Sequence, residues 1–99
     1  MQAQTPESFQ REMGCTAREL VAWLPRACGG RPLCIEEGSA RVAIDGAQLL
    51  LAWQTLAPRQ IASLRLPRLA VSFRFEGVNA QRRGEFMRGF DLSTQRGGG

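Results

Sequence analysis

The side chains that most often carry out catalysis are scarce in this sequence of 99 residues. Histidine and tyrosine are absent, so the commonest general base and the commonest transition-metal ligand are missing. Glu36 and Glu37 are adjacent, which in a strand points them to opposite faces, and the other carboxylates are scattered. No glycine-rich stretch has the spacing of a nucleotide-binding loop. We therefore expect a non-catalytic protein that needs neither a metal ion nor another cofactor.

The three cysteines are Cys15, Cys28 and Cys34, and no two of them have the CxxC spacing of a zinc or redox site. The N-terminus carries no basic segment followed by an apolar stretch, so we expect no signal peptide, a cytoplasmic location and reduced thiols. Cys15 fits an apolar pattern and is expected in the core. Two alternatives remain for the other cysteines: a disulfide between Cys28 and Cys34, or a reactive thiol beside Arg26 or Arg31.

All 13 basic residues are arginines, and they outnumber the nine acidic residues to give a net charge of +4. Because the planar guanidinium matches carboxylate and phosphate groups, this balance predicts an anionic partner, either an acidic protein or a nucleic acid. The alternative is that these arginines only solvate the surface and reflect the base composition of the genome. The candidate binding residues are Arg41, Arg59, Arg65, Arg68, Arg74, Arg82, Arg83 and Arg88.

The first third of the chain has the pattern of a strand followed by a helix. Polar and apolar residues alternate from Ser8 to Cys15, which predicts the strand. Thr16 and Glu19 have the spacing of a capping box, so a helix should begin there. Pro25 disfavours helical geometry at the residue before it, so the helix should end near Pro25 or kink there.

The clearest feature of the sequence is a β-hairpin centred on Asp45-Gly46, a pair typical of a type I′ turn. Strands are predicted over Ala40 to Ile44 and over Ala47 to Thr55. With a two-residue turn, Val42 lies opposite Leu49 on an apolar face, and the other face is more mixed.

The second half of the chain adds one clear strand and one helix. Strict alternation from Leu69 to Glu76 places the phenylalanines of that strand on the core face. The open face therefore lacks the aromatic side chains on which single-stranded RNA stacks. Asn79 is the expected N-cap of the second helix. After the hairpin, Leu56 to Arg59 should break the second strand, and extended structure should resume from Ile61 to Leu66. Pro67 interrupts that segment, and because proline cannot donate to a strand ladder it marks an edge, a bulge or a turn.

These elements predict an α+β two-layer sandwich of the order β-α-β-β-β-α, with an antiparallel sheet of four to five strands and two helices on one face. Leu33 to Glu36 and Ile61 to Leu66 are the candidates for a further short strand. We expect a flexible N-terminus over residues 1–7, one globular domain over 8–92 and a flexible glycine-rich tail over 93–99. No apolar run is long enough to span a membrane, so no membrane partner is expected.

Self-assembly through the sheet is the main alternative function. Leu50 and Ala52 lie on the face that should be wet, and the segment Ile61 to Leu66 should lie at an edge. Exposed apolar residues and unpaired strand edges favour association with another chain, including a homodimer.

Two resemblances concern the ends of the chain. The terminal Arg96-Gly97-Gly98-Gly99 is similar to the Gly-Gly ends of ubiquitin-like carrier proteins, which would imply activation of the terminal carboxylate, although those families open with a hairpin rather than with one strand and a helix. The runs F-Q-R-E-M-G-C-T and F-M-R-G-F-D-L-S-T-Q-R-G-G-G resemble small hypothetical bacterial proteins, which implies a compact bacterial domain of unassigned role.

Overall fold

The computed structural model describes residues 4–94 and confirms the expected α+β sandwich. Its elements are β1 (Ser8–Met13), α1 (Ala17–Ala27), β2 (Leu33–Glu36), β3 (Ser39–Ile44), β4 (Ala47–Ile61), β5 (Leu64–Glu76) and α2 (Ala80–Thr94). The five strands form one antiparallel sheet in the order β1-β5-β4-β3-β2. Both helices pack on the same face of this sheet and share its core. The opposite face has no helix over it and is called the open face below.

The start of α1 is fixed by the predicted capping box. The Glu19 backbone N–H donates to the Thr16 side-chain oxygen at 3.1 Å, and the Thr16 N–H donates to the Glu19 carboxylate at 2.9 Å. The helix ends at Ala27, two residues after Pro25 and so near the expected end. Pro25 is exposed and stands in the last turn, where Cys28 N–H still donates to the Leu24 carbonyl at 2.8 Å.

The predicted hairpin joins β3 to β4 in the predicted register. Val42 lies opposite Leu49, and Ile44 lies opposite Ala47. Asp45 and Gly46 both have positive φ angles, 48° and 80°, as a type I′ turn requires. This register directs the apolar residues of both strands toward the helices.

Aromatic packing joins the sheet to α2. Phe73 meets Phe90 edge to face with ring centroids 5.3 Å apart, and Phe75 meets Phe86 in the same way at 5.9 Å. All four rings are almost completely buried. Within residues 4–94 no polar or charged side chain is buried, so the interior needs no internal hydrogen-bond partners.

The two longest strands extend beyond all their neighbours, and this was not expected. β1 pairs with β5 only as far as Leu69, and β3 pairs with β4 only as far as Ala52. β4 and β5 nevertheless stay paired to Ile61 and Leu64, so residues 56–68 form a two-stranded ribbon, called the arm below.

The prediction that Leu56 to Arg59 break the second strand was therefore wrong, but a bulge, one of the three alternatives for the proline segment, is present. Between the pairs Leu56–Arg68 and Arg59–Leu66, β4 has two residues and β5 has one. This β-bulge absorbs the extra residue, and the strands continue beyond it in register. Ile61 to Leu66 is thus the tip of one long hairpin and not a separate edge strand.

Alanine substitutions at two glycines, one in the hairpin turn and one in α2, form a matched test of this fold. Gly46 has a φ of 80°, whereas Gly89 lies in α2 with no atom within 4 Å of the position of a Cβ. We expect Gly46→Ala to lower the free energy of unfolding by about 1 kcal/mol. Gly89→Ala should raise it by about 0.5–1 kcal/mol. Urea unfolding followed by circular dichroism measures both, and the same sign for the two changes would contradict the assigned turn or helix.

Candidate functional site

The eight predicted binding arginines do not form one surface. The arm holds Arg59, Arg65 and Arg68, the open face holds Arg41 and Arg74, and α2 holds Arg82, Arg83 and Arg88. The structure therefore divides them among three regions. What each group can bind depends on the contacts that its members already make.

Two of the α2 arginines have structural contacts. Arg83 is half-buried, and its guanidinium donates to the carbonyl oxygens of Thr5 at 2.8 Å and Val78 at 2.6 Å, which ties the N-terminal segment to the helix. Arg82 forms an ion pair with Asp45 at 2.7 Å. Arg88 is exposed, with no ion pair to any residue between 4 and 94. Of the α2 group, only Arg88 thus makes no hydrogen bond or ion pair through its side chain with a residue between 4 and 94.

The open-face arginines lie on either side of Leu50. Arg41 and Arg74 are the cross-strand partners of this leucine on β3 and β5, so the three side chains share a face. Arg74 also approaches Glu76 at 3.5 Å. The phenylalanines of β5 are buried on the other face, as the alternation of that strand predicted.

Arg68 anchors the base of the arm to β1. Its guanidinium donates two hydrogen bonds to the Glu12 carboxylate, at 2.9 and 2.8 Å, and a third to the Ala57 carbonyl at 3.2 Å. The hydrogen bond from Arg68 lowers the pKa of Glu12 below its ordinary value, and the charges of Arg68 and Arg59 act in the same direction. This pair positions the arm and is not available to a partner.

Arg59 and Arg65 lie further along the arm and are exposed. Neither makes a hydrogen bond or an ion pair with a residue in the part of the chain that the structure describes. The surrounding sequence offers no acid, because the 30 residues from Gly46 to Phe75 contain four arginines and no Asp or Glu. The arm is therefore a basic projection that contains no carboxylate of its own, with Glu12 of β1 paired to Arg68 at its base.

The arm also carries exposed aliphatic side chains. Ile61, Leu64 and Leu66 are 51%, 61% and 42% exposed. Leu64 and Leu66 alternate with Arg65, so they lie on the open-face side of β5, and Ile61 is the cross-strand partner of Leu64. These three residues are called the aliphatic face of the arm. Arg59 shares their side because it pairs with Leu66, and Arg65 lies on the other side.

A shallow groove of about 230 Å³ lies on the open face where the arm begins. Two cross-strand rows line it: Gln10, Ser72 and Ala52 form one row, and Ala70 and Gln54 belong to the next. The predicted alternation from Leu69 to Glu76 places Ala70 and Ser72 on this face, and the predicted hairpin register places Ala52 there. That these residues together line a groove was not predicted.

The cysteines fall into buried and exposed classes. Cys28 is completely buried, and burial raises the pKa of its thiol to about 11 against a smaller opposing effect of Arg31. Cys34 is exposed on β2 and lies across from Arg41. These two residues do not form the disulfide considered above. A reactive Cys28 is also contradicted, because its high pKa keeps it as a thiol near neutral pH.

No helix within residues 4–94 is long and apolar enough to cross a membrane. The glycine-rich carboxyl terminus that suggested a carrier protein lies outside the described residues.

No protein-family model matches the chain, and no curated protein is detectably similar to it. The fold and surface therefore define the class of protein: a small α+β domain with a projecting two-stranded arm that carries arginines and exposed aliphatic residues.

The burial of the cysteines predicts their order of reaction with a thiol reagent. Near pH 8, an ordinary exposed cysteine with a pKa of about 8.5 is partly ionised. We expect Cys34 alone to be labelled in the native protein, and Cys15 and Cys28 to be labelled only after unfolding. Mass spectrometry of peptides from native and denatured samples measures this. Rapid native labelling of Cys28 would contradict its place in the core.

Proposed function

We propose that this protein is a non-catalytic interaction domain, and that its arm binds an acidic surface of a partner protein through Arg59 and Arg65. The observation that carries the proposal is the acid-free projection of these two exposed arginines from the domain. Arginine is enriched in protein interfaces because its guanidinium binds carboxylates in a bidentate geometry.

The form of the arm supports a binding role. A two-stranded ribbon that packs against nothing else is only marginally stable in water. Pro58 lies in β4 and Pro67 in β5, and proline in an edge strand removes a backbone donor that another strand would use. A partner is therefore expected to contact the arm through side chains and not by adding a strand to it.

The distribution of charge favours a protein over a nucleic acid. Phosphate backbones are usually bound by many basic side chains on one continuous surface, about six to ten in strongly salt-dependent complexes. Here Arg68, Arg82 and Arg83 already have protein partners, and the remaining candidates lie in separate regions. Two exposed arginines match a short run of carboxylates better than a phosphate backbone.

A cytoplasmic location is part of the same proposal. Cys28 and Cys34 have no disulfide, and unpaired thiols are typical of a reducing compartment.

The proposal predicts selective loss of binding when the arm is neutralised. The double variant Arg59→Gln/Arg65→Gln should bind poly-L-glutamate about 3- to 10-fold more weakly than the original chain, because each exposed ion pair contributes about 0.2–1 kcal/mol. The matched control Arg18→Gln/Arg26→Gln removes two exposed arginines of α1 and should leave binding unchanged. Isothermal titration calorimetry at low ionic strength measures both.

A duplex DNA of equal charge tests the competing class of partner. Binding to DNA that is tighter than binding to poly-L-glutamate at about 0.15 M salt would assign the arm to nucleic acid and overturn the proposal. An equal loss of poly-L-glutamate binding in the α1 control would also overturn it, because binding would then follow net charge and not the arm.

A further inference from the structure

One edge of the sheet is the outer side of β1, and its backbone groups are unpaired. β1 pairs only with β5, and the Phe75 N–H donates to the Glu7 carbonyl oxygen at 2.7 Å. Because bonded positions alternate along an antiparallel pair, the odd-numbered residues of β1 bond to β5. Ser8, Gln10 and Glu12 therefore point their N–H and C=O groups away from the sheet, and no other strand within residues 4–94 pairs with them.

The devices that usually protect a strand edge are missing from β1. The strand has six residues, none of them proline, and its only charged side chains are Arg11 and Glu12. Arg11 forms an ion pair with Asp91 of α2. Glu12 is held by Arg68, as described above. The opposite edge of the sheet, β2, has only four residues. β1 is therefore the edge that is better suited to accept another strand.

A groove of about 460 Å³ lies beside this edge, between β1 and α2. Phe9 and Met87 contribute apolar lining. Gly84 adds room, since the nearest atom outside the helix to a Cβ built there is the Thr5 hydroxyl oxygen at 3.9 Å. Arg88 also lines the groove, and as described above its side chain is exposed and unpaired within residues 4–94. The groove therefore offers an apolar surface, space for a side chain and one available positive charge.

We propose that an extended segment of a partner protein adds to β1 as a sixth, antiparallel strand, with an aliphatic side chain packed on Phe9 and a carboxylate bound by Arg88. In this mode of recognition, backbone hydrogen bonds supply affinity and the side chains that enter pockets supply specificity. The six residues of β1 offer an edge about 20 Å long. The arm arginines do not enter this inference, which goes beyond the proposed function.

The alternation of β1 determines which partner residues enter the groove. Phe9 pairs with the buried Phe73, so it lies on the face of the sheet that the helices cover. Partner residues opposite Phe9 and Arg11 would project toward α2 from positions without mutual hydrogen bonds, where cross-strand side chains approach most closely. Partner residues opposite Gln10 would exchange hydrogen bonds with it and project onto the open face. The matching segment thus alternates aliphatic or acidic residues with polar ones.

Charge favours such a segment over a second copy of this chain. Two copies that pair through β1 would have their two-fold axis at Gln10, the middle one of its three outward residues. Gln10 and Arg88 line the same groove, so this axis would bring the two Arg88 side chains together. Asp91 also lines the groove but is already paired with Arg11. A carboxylate from a partner neutralises Arg88, whereas a second copy adds a like charge.

Fluorescence polarisation with a labelled heptapeptide tests the proposal. In this probe, four threonines alternate with valine, glutamate and valine. Gln10→Pro should weaken binding at least about 10-fold, because the proline ring replaces the outward N–H and leaves the bonds to β5 intact. The matched control is Ile35→Pro, which places proline at an outward position of β2 and should leave binding unchanged.

Changes in the peptide and in Arg88 test the geometry. Methylation of the backbone nitrogens of the two inner threonines should abolish binding, whereas methylation at the two valines should not, because only the threonine amides face β1. This comparison uses the original chain, so it decides the question even if Gln10→Pro impairs folding. Arg88→Gln should weaken binding about 3-fold for the glutamate probe and not at all for the same peptide with glutamine.

Several results would overturn the inference. Absence of probe binding up to about 1 mM removes the site. An equal loss in Ile35→Pro, or with both methylated peptides, places the peptide elsewhere. A dimer in analytical ultracentrifugation that is lost in Gln10→Pro assigns the edge to a second copy. The variant Arg59→Gln/Arg65→Gln should bind the probe as the original chain does, so failure here is distinguishable from failure of the proposed function.

Discussion

The antiparallel pairing of β4 with β5 is the interaction on which the rest of the structure depends. These strands stay in register from Gln48 and Glu76 to Ile61 and Leu64, with a single bulge. Their inner halves supply Leu49, Leu51 and the buried residues of β5 to the core. Their outer halves extend beyond every other element and form the arm. One hairpin therefore both stabilises the domain and presents its binding surface.

The two halves of this hairpin differ in what supports them. In the inner half, β5 pairs with β1 and β4 pairs with β3, and the two helices cover one face. Hydrogen bonds and apolar burial therefore stabilise this half together. In the outer half, support comes from the β4–β5 pairing and from Arg68, which links the base to Glu12. A two-stranded ribbon of this kind gains stability when one of its faces is covered. A partner that binds the arm would therefore also stabilise its strand pairing.

Local signals were sufficient to predict the elements of the domain. The Asp45-Gly46 turn fixed the register of its hairpin because only a narrow set of residues tolerates two positive φ angles. The capping box fixed the start of α1 for a similar reason, since Thr16 and Glu19 satisfy each other's backbone donors. Pro25 predicted the end of the same helix to within two residues, because proline disfavours helical geometry at the residue before it.

The arm and the candidate surface were harder to predict, because they depend on how far β4 and β5 extend beyond the neighbouring strands of the sheet. The prolines at positions 58 and 67 left an edge, a bulge or a turn open, and nothing local showed that the two strands would stay paired beyond a bulge. The arginines could be counted, but their partners could not be foreseen. Arg83 binds a carbonyl oxygen 78 residues away, and Arg68 binds Glu12 from 56 residues away. Such contacts are set by topology and not by spacing along the chain.

Hydrogen exchange of the backbone amides tests the central claim most directly, namely that the arm is a paired ribbon. The account predicts that amides from Arg59 to Leu66 that lie in the β4–β5 ladder exchange more slowly than in an unfolded peptide. Exchange of these amides at the rate of an unfolded peptide would contradict it.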